Sequence, residues 1–504
     1  MKQEIFINST PQESRIAITE DGVLAEFFIE RKEEMGIAGN IYKGKVARVL
    51  PGMQAAFVDI GMEKAGFLHA SDFYAVPEDM QLIAASAEDV DFEEAPKPPP
   101  PSRRLPLERR ISSGEEILVQ VAKDPLGTKG ARITSHVSLP GRYMVFMPNT
   151  KHLGISRRIE SEEERKRLKE IAQSLRTEEG GFILRTACEG RSKREIHRDL
   201  SFLTKLWNRI QKKAATAPAP SLIHQDLDLI TRAIRDFFIT ETTQVVVDSA
   251  KDHRRIVDFV RNFMPRLKSK IVLYNDKEPL FDRYGIEEKI EKALERRVWL
   301  KSGGYIIIER TEALTAIDVN TGRFVGKRSQ EETIFKTNLE ATQEIVRQLR
   351  LRNVGGLIII DFIDMEKEGN RKKVYEGLKE ALRKDKARTN ILKISELGLV
   401  EMTRQRTRES LENQLLSPCP HCDGRGRVKS PVTVAYDVLR AIKKQEIKVE
   451  NGRNIIVRMH PDVANFLYDE KTNSLDNLER EINHKIIIKA SQELRQEQYE
   501  IIAS

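Results

Sequence analysis

Residues 314–323 read LTAIDVNTGR. Leu314 to Val319 has the apolar character of a strand, yet Asp318 interrupts it, and Asn320, Thr321 and Gly322 follow at once. The flanking sequence supplies a topology for this carboxylate and amide. Upstream, GYIIIER (304–310) forms a hairpin with the stretch. Downstream, SQEETIFKTNLEATQEIVRQLRLRN (329–353) has helical spacing, and GGLIIIDFIDM (355–365) is a further strand. Ser329 with Glu332 makes a capping box at the helix start, and Gly355 and Gly356 follow its end. Strand, helix and strand in that order predict a right-handed crossover with the two strands parallel. Asp318 and Asp361 then both fall at carboxyl ends of strands, where open α/β sheets place their ligands.

Two carboxylates at one sheet edge repel each other unless a cation lies between them. Oxygen-only ligands suit Mg2+, which takes one or two carboxylates and completes its shell with water and phosphate. Asn320 could orient a water or a phosphate oxygen without adding charge. On a basic chain such a site suggests phosphodiester hydrolysis, the metal polarising the phosphate and acidifying a bound water. The plainer reading is that Asp318, Asp361 and Asp364 cap strand ends and begin turns, as Asp often does. The pattern alone leaves both readings open.

A length of 504 residues implies about three to five domains. Apolar residues make up 39% and charged residues 32%, with no run of about 18 apolar residues that could span a bilayer, so a soluble globular protein is expected. The N-terminus carries Glu4, Glu13 and Glu20 and lacks the apolar core of an export signal, which points to the cytoplasm. Three cysteines cannot make a disulfide framework and fit a reducing compartment. A net charge of +8 favours a polyanionic partner, although ordinary soluble proteins can be this basic.

Residues 39–72 hold short β-branched and aromatic runs punctuated by glycine, the spacing of a small β-barrel. The proline run within EEAPKPPPPSRRLPLERR marks residues 75–113 as a surface insertion. The strand pattern resumes at EEILVQVAKDPLGTKGARIT (115–134), so the barrel is completed after the insertion. A charged helix (160–176) and the strand GFILRTA follow, then an Ala- and Pro-marked linker near 214–221. Beyond it DLDLITRAIRDFF has helical spacing and TQVVVDS is a buried strand, an alternation that argues α/β.

SPCPHCDGRGRV (417–428) holds Cys419 and Cys422 in a CxxC, the spacing that lets two thiolates bind one tetrahedral metal. This is half a zinc site, since Cys188 is remote and His421 sits inside the loop. A two-fold axis would complete it with four thiolates. A redox CxxC, for which a thioredoxin-like strand context is missing, or two free thiols are the alternatives.

Together AIDVNTGRFVGKR, TNLEATQEIVRQLRLRNVGGLIIIDFIDM, LGLVEMTRQRTRES and CPHCDGRG resemble the ribonuclease E/G family, over nearly all of the 504 residues. No long acidic or proline-rich C-terminal arm is seen, which suits the branch of the family without one. The resemblance implies a multidomain α/β and α+β chain. An S1 (OB-type) barrel at 36–138 would be inserted in an RNase H-like scaffold (1–35 and 231–293). A 5′-sensor region (139–230), a DNase I-like α/β catalytic domain (294–415), a zinc-link (416–429) and a small C-terminal domain (430–504) would complete it. It implies a magnesium-dependent endoribonuclease for rRNA precursors and mRNA, cutting single-stranded, AU-rich RNA to leave 5′-phosphate and 3′-hydroxyl ends.

Residue by residue, Asp318 and Asp361 match the family's magnesium ligands and Asn320 the asparagine that assists at the scissile phosphate. Cys419 and Cys422 match a zinc-link in which two protomers share one Zn2+. That implies a homodimer; the domain from 430 offers a further association surface in the family, and dimer and tetramer both stay open. Phe57 and Phe67 match base-stacking positions and Lys129, in GTKG, a basic RNA contact, whereas the plain alternative has each Phe filling the barrel core. Gly141, Val145, Arg157, Arg185 and Thr186 match a pocket that prefers a 5′-monophosphate, and Arg388, in KDKART, a basic residue near the active surface. Arg and Thr suit phosphate chemically, though a lone strand Arg is commonly part of a solvated face. The Pro-rich insertion departs from the family pattern. A non-catalytic RNA-binding adaptor is the rival, against which Asp318, Asn320 and Asp361 speak; nothing assigned to a 2′-hydroxyl separates RNA from DNA.

Overall fold

The computed structural model describes residues 2–73, 90–92, 107–125, 129–148, 150–159, 161–322, 330–392, 395, 398–406, 408–445, 454–468 and 474–503. The chain divides into two units, Met1–Gln414 and Leu415–Ser504.

In the larger unit the first sheet joins residues far apart in sequence. Gln3–Ser9, Glu13–Glu20 and Val23–Arg31 run antiparallel, and Thr242–Val247 and Ile271–Leu273 add to Gln3–Ser9 in parallel. Alternation in the early strands sends Ile5, Ile7, Ile16 and Ile18 into a core shared with Ile234 and Phe238, all fully buried. Asp21 and Gly22 both take positive φ (50° and 79°), the tight hairpin turn that Asp-Gly favours.

Between the two halves of that sheet the chain builds a barrel. Ile41–Leu50, Ala55–Asp59, Gly66–His69, Arg132–Thr134 and Glu116–Lys123 pair in that order, and the last pairs back onto the first, closing five strands. Val46, Ala56, Val58, Leu68, Val119 and Ile133 fill its interior. The region read as a surface insertion, 75–113, is corrected where it can be seen. Leu107 and Ile111 are buried in the barrel core, and Val90–Phe92 pairs with Leu153–Ser156 of another sheet. Apolar residues at the edges of a proline run can still seal a core, which composition alone hides. The rest of that region, including the proline run, lies outside the described residues.

The sheet that receives Val90–Phe92 also contains Leu139–Pro140, Met144–Met147, Gly181–Leu184 and Leu153–Ser156. It packs on the helices Glu162–Ser174 and Lys193–Thr216. The second helix, 24 residues long and opened by a Ser192/Glu195 capping box, corrects the linker near 214–221. Alanine is the best helix former, so Ala214 and Ala215 extend the helix to Thr216, and Ser221 already starts the strand Ser221–His224.

The third large sheet holds, in chain order, Arg297–Trp299 (β1), Tyr305–Arg310 (β2), Leu314–Asn320 (β3), Gly356–Asp361 (β4), Thr389–Ile391 (β5) and Leu399–Arg404 (β6). Its spatial order is β1-β2-β3-β4-β6-β5. β2 and β3 form the expected hairpin, and β3 and β4 run parallel on either side of the helix Gln330–Leu351 (α1). Ser329, half of the expected capping box, lies outside the described residues. At the other end of α1 it is Asn353, not a glycine, that takes the left-handed position (φ 47°). The amides of Asn353 and Val354 donate back to Arg350 and Leu349. α1 and Glu368–Leu382 (α2) cover one face of this sheet with Ala341, Ile345, Leu349, Val374 and Leu378. Arg350 of α1 reaches the first sheet, donating to Glu26 at 3.0 Å and Glu20 at 2.6 Å. Removing either partner of such a buried pair costs about 3–5 kcal/mol, so this contact fixes α1 on the first sheet.

The smaller unit has a three-stranded sheet, Ile486–Ala490, Ile455–Met459 and Tyr499–Ala503, with apolar residues of Pro431–Gln445 and Pro461–Tyr468 packed on it. Among the described residues no helix is long and apolar enough to cross a membrane.

Candidate active site

The register of the third sheet puts Ile307, Asp318, Asp361 and Leu399 in one cross-strand row. Their neighbours along each strand, Ile306, Ile308, Ile317, Val319, Ile360 and Val400, are buried under α1 and α2. Because side chains alternate between faces, both aspartates stand on the opposite, uncovered face, and both are exposed. Adjacent strands lie about 4.8 Å apart, so the carboxylates are near neighbours. Partial burial and then the charges of Asp318 and Asp364 raise the Asp361 carboxyl above its ordinary value. The Asn320 amide donates to Asp318 Oδ2 at 2.8 Å. Behind β4, Asn338 of α1 is fully buried and holds the backbone of Ile363 from both sides. Its Nδ2 donates to the carbonyl at 2.8 Å and its Oδ1 accepts from the amide at 3.1 Å.

Two exposed hard-oxygen donors, one braced by an amide, match what Mg2+ asks of a protein, and a soft metal would want sulfur or imidazole. Among the described residues no group of three or more His, Cys, Asp or Glu could hold a metal. A cavity of about 360 Å3 is lined by Ile308, Arg310, Arg352, Arg406 and Glu412 among others, and neither aspartate of the row lines it.

On the barrel, Phe57 and Phe67 are direct cross-strand partners with ring centroids 5.9 Å apart, and His69 stacks beyond Phe67 at 6.5 Å. Both phenylalanines are half-buried and stand outside the barrel core, which Ala56, Val58 and Leu68 fill instead. Neither ring therefore fills the barrel core. Lys129 is exposed beside Arg132–Thr134.

The residues assigned to a 5′-phosphate pocket cluster in part. Arg185 Nη1 donates to the Gly141 carbonyl at 2.9 Å and pairs with Asp236 at 3.0 Å, while its buried Nε has no partner among the described residues. Gly141 is required by close approach, since a Cβ there would lie 2.5 Å from Asp199 Oδ2. Val145 is buried opposite Pro140 and Ile183. Ile155 pairs in parallel with Leu184, and Thr186 and the exposed Arg157 each follow the end of one of these two strands.

Arg388 is exposed but is not brought to the carboxylates. Its carbonyl meets the amide of Gln405, six residues along from Leu399, so it lies about 20 Å from the Asp361 row. Its loop instead adjoins the pocket segment. Arg158 donates to the Lys386 carbonyl at 2.5 Å, and Lys386 Nζ donates to the Asp236 carbonyl at 3.0 Å. That ammonium also sits 3.4 Å from the Phe237 ring centroid, and desolvation there lowers it to about 8.

In the smaller unit Cys419 is exposed and Cys422 buried. The Gly426 amide donates to Cys422 Sγ at 3.2 Å, and the His421 and Cys422 amides lower the Cys419 thiol. Amides aimed at sulfur favour thiolate, the metal-binding form. The last strand before the pair ends at Arg404, and the strands of the unit come after it.

Sequence reasoning missed Asp199, Asp236 and Asn338. Asp199 accepts from the Tyr143 and Met144 amides at 2.7 and 3.2 Å and sits in the long helix whose amphipathic spacing could have been read. Asn338, an amide on the apolar face of α1, was a visible anomaly.

A family model for the ribonuclease E/G family matches residues 138–407, and one described as the thioredoxin-like domain of that family matches 418–504. The latter overturns the view that a thioredoxin-like context is missing around the CxxC, although the pair precedes the unit's strands and helices instead of following a strand. The chain is 47% identical to ribonuclease G of Haemophilus influenzae over 99% of both chains. It is 44% identical to ribonuclease G of Escherichia coli K12 over the whole of both. Ribonuclease E of Escherichia coli K12 is 38% identical over 99% of this chain and 46% of that protein. The in-register aspartates, the CxxC and these matches agree, and the chain belongs to the ribonuclease E/G family.

Proposed function

We propose that the chain cuts single-stranded RNA internally by metal-assisted hydrolysis at the uncovered edge that carries Asp318 and Asp361. Homology to ribonuclease G makes it an endoribonuclease of a family that uses a metal ion. The observation that carries the finer reading is the row Asp318–Asp361, exposed and without an ion-pair partner among the described residues, with Asn320 bonded to the first.

Asp318 and Asp361 would hold Mg2+, which supplies Lewis acidity at the scissile phosphate and lowers the pKa of water. Asn320 keeps the Asp318 carboxylate in one orientation and has an amide oxygen left for a water or the phosphate. Asn338 holds the chain after Asp361, so the second carboxylate keeps its place. The Phe57–Phe67 pair offers ring faces to bases of a single strand, and Lys129 a cation to its backbone. Arg185, Arg157 and Thr186 would receive a 5′-monophosphate, guanidinium and hydroxyl donors suiting its oxygens. We read the products as 5′-phosphate and 3′-hydroxyl ends, the preferred sites as AU-rich, the substrates as rRNA precursors and mRNA, and the setting as the cytoplasm. Cys419 and Cys422 would share one Zn2+ with a second copy, making a homodimer.

The test is cleavage of one AU-rich oligoribonucleotide with a 5′-monophosphate or a 5′-hydroxyl, in Mg2+ or EDTA, by wild type and Asp361→Asn. Internal cuts that need Mg2+, vanish in the variant and run faster on the monophosphate are expected. RNA that binds but stays intact throughout would hand the chain to the adaptor reading. Zinc content and sedimentation of Cys422→Ser test the dimer, which should dissociate.

A further inference from the structure

The uncovered face of the third sheet carries more than carboxylates. In the cross-strand row of Asn320, Tyr305 is its direct partner and Trp299 lies one strand further out, on the edge strand β1. One row along, Arg297 pairs with Ile307, which pairs in turn with Asp318. The Trp299 and Tyr305 rings meet edge to face with centroids 5.4 Å apart. The Arg297 guanidinium lies 4.6 Å from the Tyr305 centroid and 5.8 Å from that of Trp299.

The fold does not need this arrangement. Val298 is the residue of β1 that packs on the core, while Trp299 is 55% exposed. Leaving an indole in water forgoes about 25 cal/mol for every Å2 not buried. Arg297 makes no ion pair among the described residues, whereas its neighbour Arg296 takes Glu309. An uncompensated cation and an open aromatic face beside a carboxylate pair suit a ligand that is both anionic and aromatic.

We infer that Trp299, braced by Tyr305 and flanked by Arg297, is a stacking subsite for a nucleobase of the RNA strand that crosses Asp318 and Asp361. The inference rests on the reading that this edge cuts RNA. Trp299 is two strands and one row from Asp318, roughly 12 Å between backbones. That is the reach of a base roughly one or two nucleotides from the scissile phosphate. Tyr305 blocks rotation of the indole, and Arg297 offers a cation to the adjoining phosphate. Stacking accepts any base, so the subsite would grip and position the strand and leave sequence choice to other contacts.

The experiment uses the full chain and a single-stranded oligoribonucleotide with one cut site, plus a series in which one base at a time is removed. For wild type, kcat/KM should fall about ten-fold or more when the base at a single position near the cut is absent, as loss of a stacked base implies. Trp299→Ala should show that loss on the intact RNA and no further loss at that position, and Trp299→Phe should recover most of it. The chain has two tryptophans, and the other, Trp207, is buried. In a Trp207→Phe, Asp361→Asn background Trp299 fluorescence should therefore be quenched by the intact RNA and not by the one lacking that base. Unchanged cleavage by Trp299→Ala, or a changed sedimentation coefficient in that variant, would overturn the subsite, the second outcome making the patch a contact between copies. Quenching with RNA left uncut by wild type would support the subsite while sinking the cleavage reading.

Discussion

At the edge of β3 and β4, Asp318 and Asp361 are exposed, adjacent and without a cation among the described residues. Around Gly141 Asp236 is matched within the chain, and Asp199 is satisfied in part, its buried Oδ1 having no partner among the described residues. Asp236 lies between Arg185 and Arg235, and Asp199 is buried with two backbone amides donating to it. The first region holds unspent charge that only an incoming cation can settle. The second is assembled as part of the folded core, and the Arg185 Nε is itself buried there. Substitutions in the first should therefore change chemistry and spare stability, and substitutions in the second should do the reverse or both.

Asp318→Asn is the sharpest attempt to break that contrast. Losing a metal ligand should lower single-turnover cleavage by about a thousand-fold, from an effect of roughly 4 kcal/mol on the barrier. The urea midpoint should hold or rise, because a repulsion is removed, and a large loss of stability would end the comparison. Gly141→Ala probes the other side. Its Cβ would meet Asp199 Oδ2 at 2.5 Å, and the strain should cost about 2 kcal/mol, read as a lower urea midpoint.

A smaller effect is expected of Arg185→Lys, where a point charge replaces a fork of donors. The preference for 5′-monophosphorylated RNA over its 5′-hydroxyl counterpart should shrink roughly ten-fold, the worth of one hydrogen bond to a charged group. Equal rates on the two RNAs for wild type would remove the pocket altogether. The smallest effect is on acid stability. Burial alone would raise the Asp236 carboxyl, but the guanidiniums of Arg235 and Arg185 hold it well below the usual carboxylate range. A depressed carboxyl adds stability that is present above its unfolded value near 3.9 and is lost as pH falls below that. Asp236→Asn should therefore flatten the fall in thermal stability below about pH 4, and an unaltered acid limb would show that the pairing contributes nothing.

Much of the catalytic sheet was legible. The hairpin, the parallel pair and the end-of-strand position of both aspartates follow from periodicity and chain order, which are local properties. The Phe57 and Phe67 question was not, since alternation shows that they share a face but not which face meets the core. Asp199 was hidden inside a helix, where one carboxylate among many charges looks solvated until the fold buries it. The Pro-rich region misled because composition reports the average of a segment, whereas Leu107 and Ile111 act singly.

By itself the sequence determined that the chain is basic, that two carboxylates end neighbouring strands, that one CxxC offers half a metal site, and that the motifs belong to one family. Tertiary structure alone decided that Asp318 and Asp361 share a row on the uncovered face, and that Trp299 and Arg297 share that face with them. It also decided that the loop of Arg388 lies beside Arg158 and Asp236 and not beside the carboxylates. The reason is physical. Strand identity is written in local periodicity, but register and the choice of covered face depend on where α1, α2 and the first sheet bury their apolar surface, and that is settled only when the whole unit packs.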